Sequence, residues 1–358
     1  MTRITPSPSR TKLSVMLGLS RPNPPLPRPG ALPEITEPTD LCWPDGRLRP
    51  DAIGWSRRPL HRARLRGRGR NKRWEYWGVM SPDVFVGVTV SDLDYAALHA
   101  VYLLTRDGVE ARSSALMPFS RVPFSAEYGD APLRVHHKSL AITIEPRSGG
   151  VELGVSSKAF DAQITIDRPP GHECLAVVVP WSPRRFQYTV KENTLPARGW
   201  VEARGRRWDL DNDAWATLDH GRGRWPYRIT WNWGSGSGRV DARIIGIQVG
   251  GAWTDGTGST ENAITIDGVV SYIGSDLVWE YDRRDWMRPW RVVDRRSGRL
   301  DLTFTPEAIR SESINAGVLA NDTHQAFGTW SGTIYDASFE PMTFSGIRGW
   351  AEEVRNRW

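Results

Sequence analysis

Apolar and polar residues alternate along most of the chain, in short segments separated by turn residues. The alternation predicts strands at 74–79, 84–90, 95–104, 109–116, 140–144 and 151–155, and the continuous apolar run 174–180 predicts a central strand. Alternation with a period of two is typical of antiparallel strands that have one face on a core and the other in solvent. We therefore predict an all-β protein in which helix is the minority state.

The second half of the chain repeats the order of elements found in the first half. Trp77-Gly78 has a counterpart in Trp233-Gly234, and each pair is followed by a long apolar strand and, about thirty residues downstream, by an Asp-Gly turn. A repeat of this kind indicates two units of one architecture. Since closing a sheet removes its exposed edges, we predict two up-and-down barrels or strongly curved sheets.

The two ends of the chain differ from the rest. Residues 1–39 are rich in Pro, Ser and Thr and poor in large apolar residues, which predicts an extended arm lying on the folded body. The apolar residues of the last segment, 347–358, have helical spacing and predict a short capping helix. They are Ile347, Trp350, Ala351 and Val354.

Signals for export, membrane insertion and oxidation are weak. The apolar run at 13–19 is short and leads into a proline-rich stretch without a small-residue cleavage site, so we expect no cleaved signal peptide. No stretch approaches the roughly 18 to 20 uninterrupted apolar residues of a membrane span. Cys42 and Cys174 lie far apart and outside any metal-ligand spacing, which indicates neither a zinc site nor a disulfide framework. We expect a soluble cytoplasmic protein.

Positive charge is concentrated in one segment. The net charge is +6, and residues 57–73 contain nine Lys or Arg and no acid, so the remainder is at about −3. Arginine recurs at every second position from 62 to 70, which in a strand places all the guanidinium groups on one face. A solvated strand face or loop is the ordinary interpretation, and binding of RNA or another polyanion is the alternative. Because aromatic stacking partners do not recur here, we expect no nucleic-acid partner.

Six short strings, taken together, resemble the bacterial domain-of-unknown-function 2804 family over roughly residues 40–358. They are Ala52-Ile53-Gly54-Trp55-Ser56-Arg57-Arg58-Pro59-Leu60, Arg73-Trp74-Glu75-Tyr76-Trp77-Gly78, Thr260-Glu261-Asn262, Glu280-Tyr281-Asp282-Arg283, Pro289-Trp290-Arg291 and Gln325-Ala326-Phe327-Gly328. That family more distantly resembles the double-barrel calycin-like proteins, which include hydroxyneurosporene synthase, tocopherol cyclase and several cofactor-free pericyclases.

The resemblance implies two lipocalin-like barrels in tandem, which we place at 40–197 and at 198–358, the second including the C-terminal helix. It implies no assigned activity, and it supplies no established catalytic residues. Hydration or cyclisation of an apolar substrate is implied by the distant relatives only, and a shared fold does not fix a function.

Tryptophan is concentrated between residues 200 and 262, where large flat rings recur with a few polar groups among them. This composition is typical of a ligand pocket rather than of a dry core. We predict that indoles from successive strands converge inside the closed sheets and enclose a pocket for an apolar or amphipathic molecule, isoprenoid-like or polyketide-like. The predicted ligand-binding residues are Trp74, Tyr76, Trp231, Trp233, Trp253, Asn262, Trp279 and Tyr281.

Glu261 is the first candidate for catalysis. It follows the flexible run 255–259 and precedes a predicted strand at 263–266. A carboxylic acid among apolar rings has its charged form disfavoured, so it can remain protonated and donate a proton to an alkene or a carbonyl. Neighbouring indole faces then stabilise the developing positive charge. The structural alternative is that Glu261 pairs with an arginine, since buried carboxylates are usually paired.

Asp219-His220 is the second candidate, between two Trp-rich strands. A histidine beside a carboxylate can act as an acid or a base near neutral pH. Adjacent residues of an extended chain point to opposite faces, however, so the two side chains need not meet. An aspartate in a turn with a histidine bonded to the backbone is the structural alternative. Glu75 is the corresponding carboxylate in the first half, and a salt bridge to Arg73 on the same strand face would explain it.

Several common classes of site lack their motifs. The chain contains no GxGxxG, P-loop or GxSxG string, so we expect no cofactor, and no metal-ligand spacing occurs. Two functions remain. The first is a cofactor-independent hydratase, cyclase or isomerase in which Glu261 or Asp219 donates a proton with His220 as its partner. The second is a non-catalytic carrier whose tryptophans only shape a pocket for a hydrophobic ligand.

Overall fold

The computed structural model describes residues 32–129, 131–211, 213–316 and 319–358, and nearly all of this chain is β-structure. The strands are β1 Thr39–Asp40, β2 Trp55–Ser56, β3 His61–Arg62, β4 Asn71–Met80, β5 Val84–Asp92, β6 Ala96–Thr105, β7 Glu110–Pro118, β8 Leu133–His137, β9 Leu140–Arg147, β10 Gly150–Ser157, β11 Asp161–Asp167, β12 Leu175–Ser182, β13 Arg185–Ala203, β14 Arg206–Leu210, β15 Trp215–Arg224, β16 Arg228–Val240, β17 Arg243–Gly251, β18 Asn262–Ile266, β19 Val269–Ile273, β20 Val278–Glu280, β21 Trp290–Val293, β22 Leu300–Ala316, β23 Leu319–Tyr335 and β24 Pro341–Arg357. Within the described residues, the one helical element is the 3-10 turn Pro50–Ala52.

Two large antiparallel sheets form the body of the protein, and each curls around its own core. The first has the order β7-β6-β5-β4-β15-β13-β11-β10-β9-β8, with β12, β14 and β2 attached to it. The second has the order β19-β18-β17-β16-β24-β23-β22-β21-β20. The prediction of an all-β protein with two barrel-like sheets in tandem is confirmed. In the part of the chain described, no helix has the length and apolar character needed to cross a membrane.

Strands β4, β13 and β15 bury both of their faces. Trp77 and Leu218 point into the core of the first sheet. Trp74 and Tyr76, which alternate with Trp77 on β4, point outward and pack against aromatic residues of the second sheet. This alternation follows from the period of two along a strand. Polar side chains on these strands are therefore buried either inside the first sheet or between the two sheets.

The boundary between the sheets lies later in the chain than the predicted division at 197/198. Residues 197 and 198 lie within β13, whose second half pairs with β11. Strands β14 and β15 then return to the first sheet, where β15 pairs with both β13 and β4. We therefore place the boundary in the short link between β15 and β16.

The predicted C-terminal helix is wrong, because residues 341–357 form β24. This strand pairs with β16 on one side and β23 on the other. It is buried on both faces, since Ile347 and Ala351 join the core of the second sheet while Trp350 packs against the first sheet. Apolar residues therefore occur at both odd and even positions, and their spacing imitates that of an amphipathic helix.

The N-terminal arm is described only from residue 32. From there the chain runs beside β2, where the Ile35 amide donates to the Trp55 carbonyl at 2.7 Å. The rest of the predicted arm lies outside the described residues.

The regular strand considered for the arginine-rich segment does not form. Between residues 57 and 70 only His61–Arg62 of β3 form a strand, and Gly67 and Gly69 have positive φ angles of 80° and 81°, which a regular strand does not contain. Several arginines form ion pairs instead, including Arg62 with Asp40 at 2.8 Å and Arg57 with Glu173 at 2.8 Å.

Candidate functional site

Asp219 and His220 are neighbours on β15 but belong to different parts of the molecule. Asp219 pairs across the strands with Tyr76 and points toward the second sheet. His220 pairs with Glu75 and points into the first sheet, where its ring meets the edge of Tyr128 at 5.2 Å. The predicted catalytic trio is thus divided, and Asp219 lies with Glu261 while His220 does not.

A buried group of charged residues lies between the two sheets, and we call Lys191, Asp219, Glu261 and Glu352 the inter-sheet cluster. Lys191 Nζ lies 3.2 Å from Asp219 Oδ1 and 3.1 Å from Glu261 Oε2. Lys191 and Asp219 belong to the first sheet, whereas Glu261 precedes β18 and Glu352 lies on β24 of the second. The ammonium group therefore links carboxylates from both sheets.

Each carboxylate of the cluster accepts a hydrogen bond from an indole. The Nε1 groups of Trp74, Trp253 and Trp231 donate to Asp219 at 3.0 Å, Glu261 at 2.7 Å and Glu352 at 3.0 Å, respectively. The ring of Trp233 covers the ammonium group, with Lys191 Nζ 4.1 Å from the ring centroid. The tryptophans thus converge between the sheets rather than inside them, because their strand positions have the outward parity.

Two glycines allow the cluster to pack this closely. A Cβ atom on Gly250 would overlap the side chain of Glu261, and a Cβ atom on Gly221 would overlap the ring of Trp74. Neither glycine has a positive φ angle, so the requirement is for space and not for an unusual backbone conformation. Both positions are therefore constrained by the cluster.

The cluster contains more acid than base. Among the ion pairs formed by the described residues, Lys191 is the only basic partner of Asp219 and Glu261, and Glu352 has none. Burial raises the pKa of Glu261, which Lys191 partly opposes and Asp219 reinforces. Burial also raises the pKa of Glu352 to about 7, against a partial offset from the Trp231 hydrogen bond and Lys191. A desolvated carboxylate without a full counter-charge tends to hold a proton.

An open groove of about 770 Å³, lined by the second sheet and its loops and by Trp181 of the first sheet, adjoins the cluster at Trp253. Trp253 forms part of its wall and also donates its indole N–H to Glu261, so one side chain separates the groove from the cluster. Trp181 of the first sheet lines the groove beside it and donates to the Trp253 carbonyl at 2.8 Å. Ile229 adds an apolar surface, and the other lining residues include Arg228 and Arg355.

The remaining predicted ligand-binding residues divide into two groups. Tyr76 lies at the cluster, with its ring edge-on to Trp233 at 5.4 Å. Asn262 has both ends of its amide bonded to the backbone of its own sheet, at Gly250 and Ser275. Trp279 and Tyr281 pack against the core of the second sheet, and the Trp279 indole donates to the Gly250 carbonyl at 3.2 Å. Of the eight, Trp253 alone is among the residues that line the groove.

Lys191 and Glu352 were not predicted from the sequence. Lys191 lies in a strand where Gln187 and Thr189 share its outward face, so a polar stripe on β13 was the available signal. Glu352 was missed because residues 347–358 were predicted to form a helix, which gives their side chains different directions from those of a strand. Its pairing with Trp233 across β16 and β24 corresponds to that of Asp219 with Tyr76 across β15 and β4.

No group of three or more His, Cys, Asp or Glu side chains is arranged to hold a metal ion in the described parts of the chain. The two cysteines are not bonded to each other, and Cys174 is buried.

Comparison with known proteins gives a family and a fold. The family model described as Domain of unknown function (DUF2804) matches residues 33–358. No curated protein matches the chain significantly. The crystal structure of CghA has 11% identity and a TM-score of 0.50, with 81% of this chain and 88% of that chain covered.

Two further solved structures are similar at comparable levels. A putative ATTH from Nitrosomonas europaea has 12% identity and a TM-score of 0.49, with 90% of this chain and 98% of that chain covered. Kievitone hydratase from Nectria haematococca has 9% identity and a TM-score of 0.45, with coverage of 81% and 89%. At these identities the similarity concerns the fold alone.

Proposed function

The chain belongs to the DUF2804 family, a domain of unknown function, and we propose from its geometry that it binds a small amphipathic molecule in the groove between its two sheets and exchanges a proton with it. The reaction class is acid–base chemistry carried by side chains: hydration, cyclisation or isomerisation. Glu261 is the proposed proton donor. Asp219 raises its pKa and Lys191 lowers it, and Glu352 is a second carboxylic acid that supplies a proton to the site. His220 is not part of this site.

One observation carries the proposal: a cluster of three carboxylates holds a single ammonium group, which contacts Asp219 and Glu261 only, and each of the three carboxylates accepts a hydrogen bond from an indole. Such a group favours retention of a proton, and a pKa of about 7 for Glu352 keeps both of its forms populated at neutral pH. A general acid or base works best when its pKa is near the working pH. Indole faces around it stabilise positive charge on a substrate, as Trp233 does for Lys191.

The groove supports binding of a molecule with both apolar and charged parts. Its volume is typical of small-molecule sites, which usually combine apolar walls with a few polar groups. Trp181, Ile229 and Trp253 offer apolar contact, and Arg228 and Arg355 offer guanidinium groups to an anionic end. Rotation of the Trp253 side chain would bring Glu261 into contact with the groove.

A second candidate function is binding without catalysis. Lys191 joins Asp219 of the first sheet to Glu261 of the second, so the same contacts serve as a structural tie between the sheets. Under this alternative the groove still binds a ligand, and the cluster only fixes the arrangement of its walls.

The two functions are distinguished by native mass spectrometry of wild-type protein and the Glu261→Gln variant, each purified from the protein's own host. Gln keeps an amide oxygen that accepts from the Trp253 N–H, but its amide has no acidic proton to transfer to a substrate. We expect a small molecule to copurify with both proteins, and we expect its mass or fragmentation to differ because the variant retains unconverted substrate. The same molecule in both proteins would instead indicate a carrier.

Two further variants test whether the copurified molecule binds in the proposed groove. Trp253→Ala is expected to lose the copurified molecule, whereas Trp200→Ala, which alters a separate groove of about 300 Å³ on the first sheet, is expected to retain it. Retention in Trp253→Ala, or loss in both variants, would contradict binding at the proposed groove.

A further inference from the structure

Inside the first sheet, three neighbouring strands present a row of donor groups, Arg73 on β4, Arg222 on β15 and Tyr188 on β13. Arg222 pairs directly with Arg73 on one side and with Tyr188 on the other. Directly paired residues of antiparallel strands point to the same face, so the three side chains lie side by side. We call them the interior row.

Each member of the interior row has a buried donor without a hydrogen-bond acceptor among the described residues. These donors are Arg73 Nη1, Arg222 Nε and Tyr188 Oη. Arg222 is 2% exposed and Tyr188 is 1% exposed, so bulk water does not supply the missing acceptors. Buried donors are nearly always bonded in folded proteins, so three such atoms in one row call for an acceptor that the chain itself does not provide.

The carboxylates nearest to the row are already engaged. Arg222 Nη2 is 3.5 Å from Glu75 Oε1, and the same oxygen is 3.4 Å from His220 Nδ1. Arg73 Nη1 lies 3.8 Å from Asp92 and 3.9 Å from Asp94. Both of these carboxylates make closer contacts with Arg121, at 3.0 and 3.1 Å. The predicted salt bridge of Glu75 with Arg73 is therefore replaced by contacts with the cross-strand partners of β15.

The orientation of Arg222 leaves one edge of its guanidinium group for a ligand. Nη1 donates to the Trp74 and Gly221 carbonyls, both at 2.9 Å, which fixes the plane of the group. The edge formed by Nε and Nη2 has only the long contact with Glu75 among the described residues. This is the edge that binds a carboxylate with two parallel hydrogen bonds. Burial lowers the pKa of Arg222 to about 10, and the nearby positive charge of Arg73 lowers it further, against a partial offset from Glu75.

Apolar surface lies next to the row. The ring of Phe124, in the link between β7 and β8, covers Arg222 with the guanidinium carbon 4.3 Å from its centroid. In the same link, Tyr128 donates to Glu192 Oε2 at 3.0 Å and lies against His220. The interior of the sheet beyond His220 is lined by Trp77 and Leu218. A ligand bound at the row therefore meets aromatic and aliphatic groups around its charged end.

We propose that the interior row binds the carboxylate of a small apolar acid inside the first sheet, with Arg222 as the bidentate partner and Tyr188 and Arg73 as further donors. The side chain of Phe124 moves aside to admit the ligand. This site is on the opposite face of β15 from Asp219, and the proposal does not rest on the function assigned to the inter-sheet cluster.

Isothermal titration calorimetry with 2-naphthoate and its uncharged analogue 2-naphthamide tests this proposal on the full-length protein. We expect saturable binding of naphthoate that is at least about tenfold tighter than binding of the amide, because the charge-assisted hydrogen bonds are lost with the amide. Equal affinity for the two compounds, or no saturable binding of naphthoate, would overturn the proposal.

Variants show where naphthoate binds and whether its site is distinct from the groove. Tyr188→Phe removes a single oxygen atom and is expected to weaken naphthoate binding about threefold to tenfold, and Arg222→Met by about tenfold or more. Trp253→Ala alters the groove and removes the indole bond to Glu261, both on the other face of the first sheet from the interior row, and it is expected to leave naphthoate binding unchanged. Circular dichroism spectra that match wild type confirm that the variants are folded, and Tyr188→Phe keeps the test valid if Arg222→Met does not fold. Undiminished binding in Tyr188→Phe, or loss confined to Trp253→Ala, would contradict the assignment.

Discussion

Lys191 and Asp219 of the inter-sheet cluster lie on the opposite face of β13 and β15 from Tyr188 and Arg222 of the interior row, and the charges of the two groups are unbalanced in opposite directions. Between the sheets, Lys191 pairs with two carboxylates, and a third, Glu352, is bonded to an indole and to no cation among the described residues. Inside the first sheet, three donors lack acceptors among the described residues. One face therefore favours holding a proton, and the other favours binding an anion.

The two buried cations show the same contrast. Burial lowers the pKa of Lys191, but Asp219 and Glu261 more than offset this effect, and the pKa is above its ordinary value. Burial lowers the pKa of Arg222 to about 10, and Glu75 offsets this effect only in part. The fold thus stabilises the charge of Lys191 and leaves that of Arg222 undercompensated. A residue kept at a cost to stability is more typical of a binding site than of a structural tie.

We expect the largest difference between the two faces when each buried cation is replaced by methionine and the free energy of unfolding is measured. Lys191→Met leaves Asp219 and Glu261 buried without a counter-charge, and we expect it to lower the free energy of unfolding by about 3–5 kcal/mol at pH 7.5. Arg222→Met deprives one carboxylate, Glu75, of a cation that lies 3.5 Å away, and it removes the donor to two backbone carbonyls, so we expect a smaller loss of about 1–3 kcal/mol. Urea unfolding monitored by tryptophan fluorescence measures both.

The pH dependence of the Lys191→Met variant provides its control. At pH 5 the unpaired carboxylates take up protons more readily, so part of the lost stability is expected to return. A larger loss for Arg222→Met than for Lys191→Met would show that the assignment of structural and ligand-binding roles is reversed.

The next effect in size concerns pH, to which the two faces respond in opposite ways. The pKa of Glu352 is raised from 4.5 to about 7. Its stabilising contribution is therefore full below pH 4.5 and lost as the pH rises through about 7. The pKa of His220 is lowered from 6.5, by burial first and then by Arg222, against the opposing effect of Glu75. Its contribution is full above pH 6.5 and lost as the pH falls below that value.

Urea unfolding between pH 5 and pH 8.5 separates these contributions. Glu352→Gln is expected to remove a fall in stability on the alkaline side on the order of 1–3 kcal/mol, and His220→Gln is expected to remove a smaller fall on the acid side. If both variants keep the wild-type pH profile, the charge states assigned to the two faces are wrong.

The sequence indicated some residues of the inter-sheet cluster, but it did not indicate which other residues contact them. Glu261, Asp219 and the tryptophans were visible because carboxylates and large rings recur in one stretch of chain. The separation of Asp219 from His220 follows from strand parity alone. Lys191 and Glu352 were missed because their significance arises from contacts between strands far apart in sequence, which alternation along one strand does not reveal.

In the predicted internal repeat, the order of the strands is conserved between the two halves of the chain, but the direction of the matching side chains is not. Trp77-Gly78 and Trp233-Gly234 occupy similar positions in the order of elements. Trp77 points into the core of the first sheet, however, whereas Trp233 points outward and covers Lys191. A shift of one residue in a strand exchanges its two faces, so a match of short strings does not align the side chains in space.

The central claim is that the inter-sheet cluster holds a proton near neutral pH, and carbon-detected NMR of protein labelled with ¹³C at the glutamate side-chain carboxyl tests it most directly. We expect one glutamate resonance to titrate near pH 7, as the pKa of Glu352 implies, and to be absent in Glu352→Gln. A full set of glutamate resonances that titrate at the ordinary pKa of about 4.3 would contradict the account.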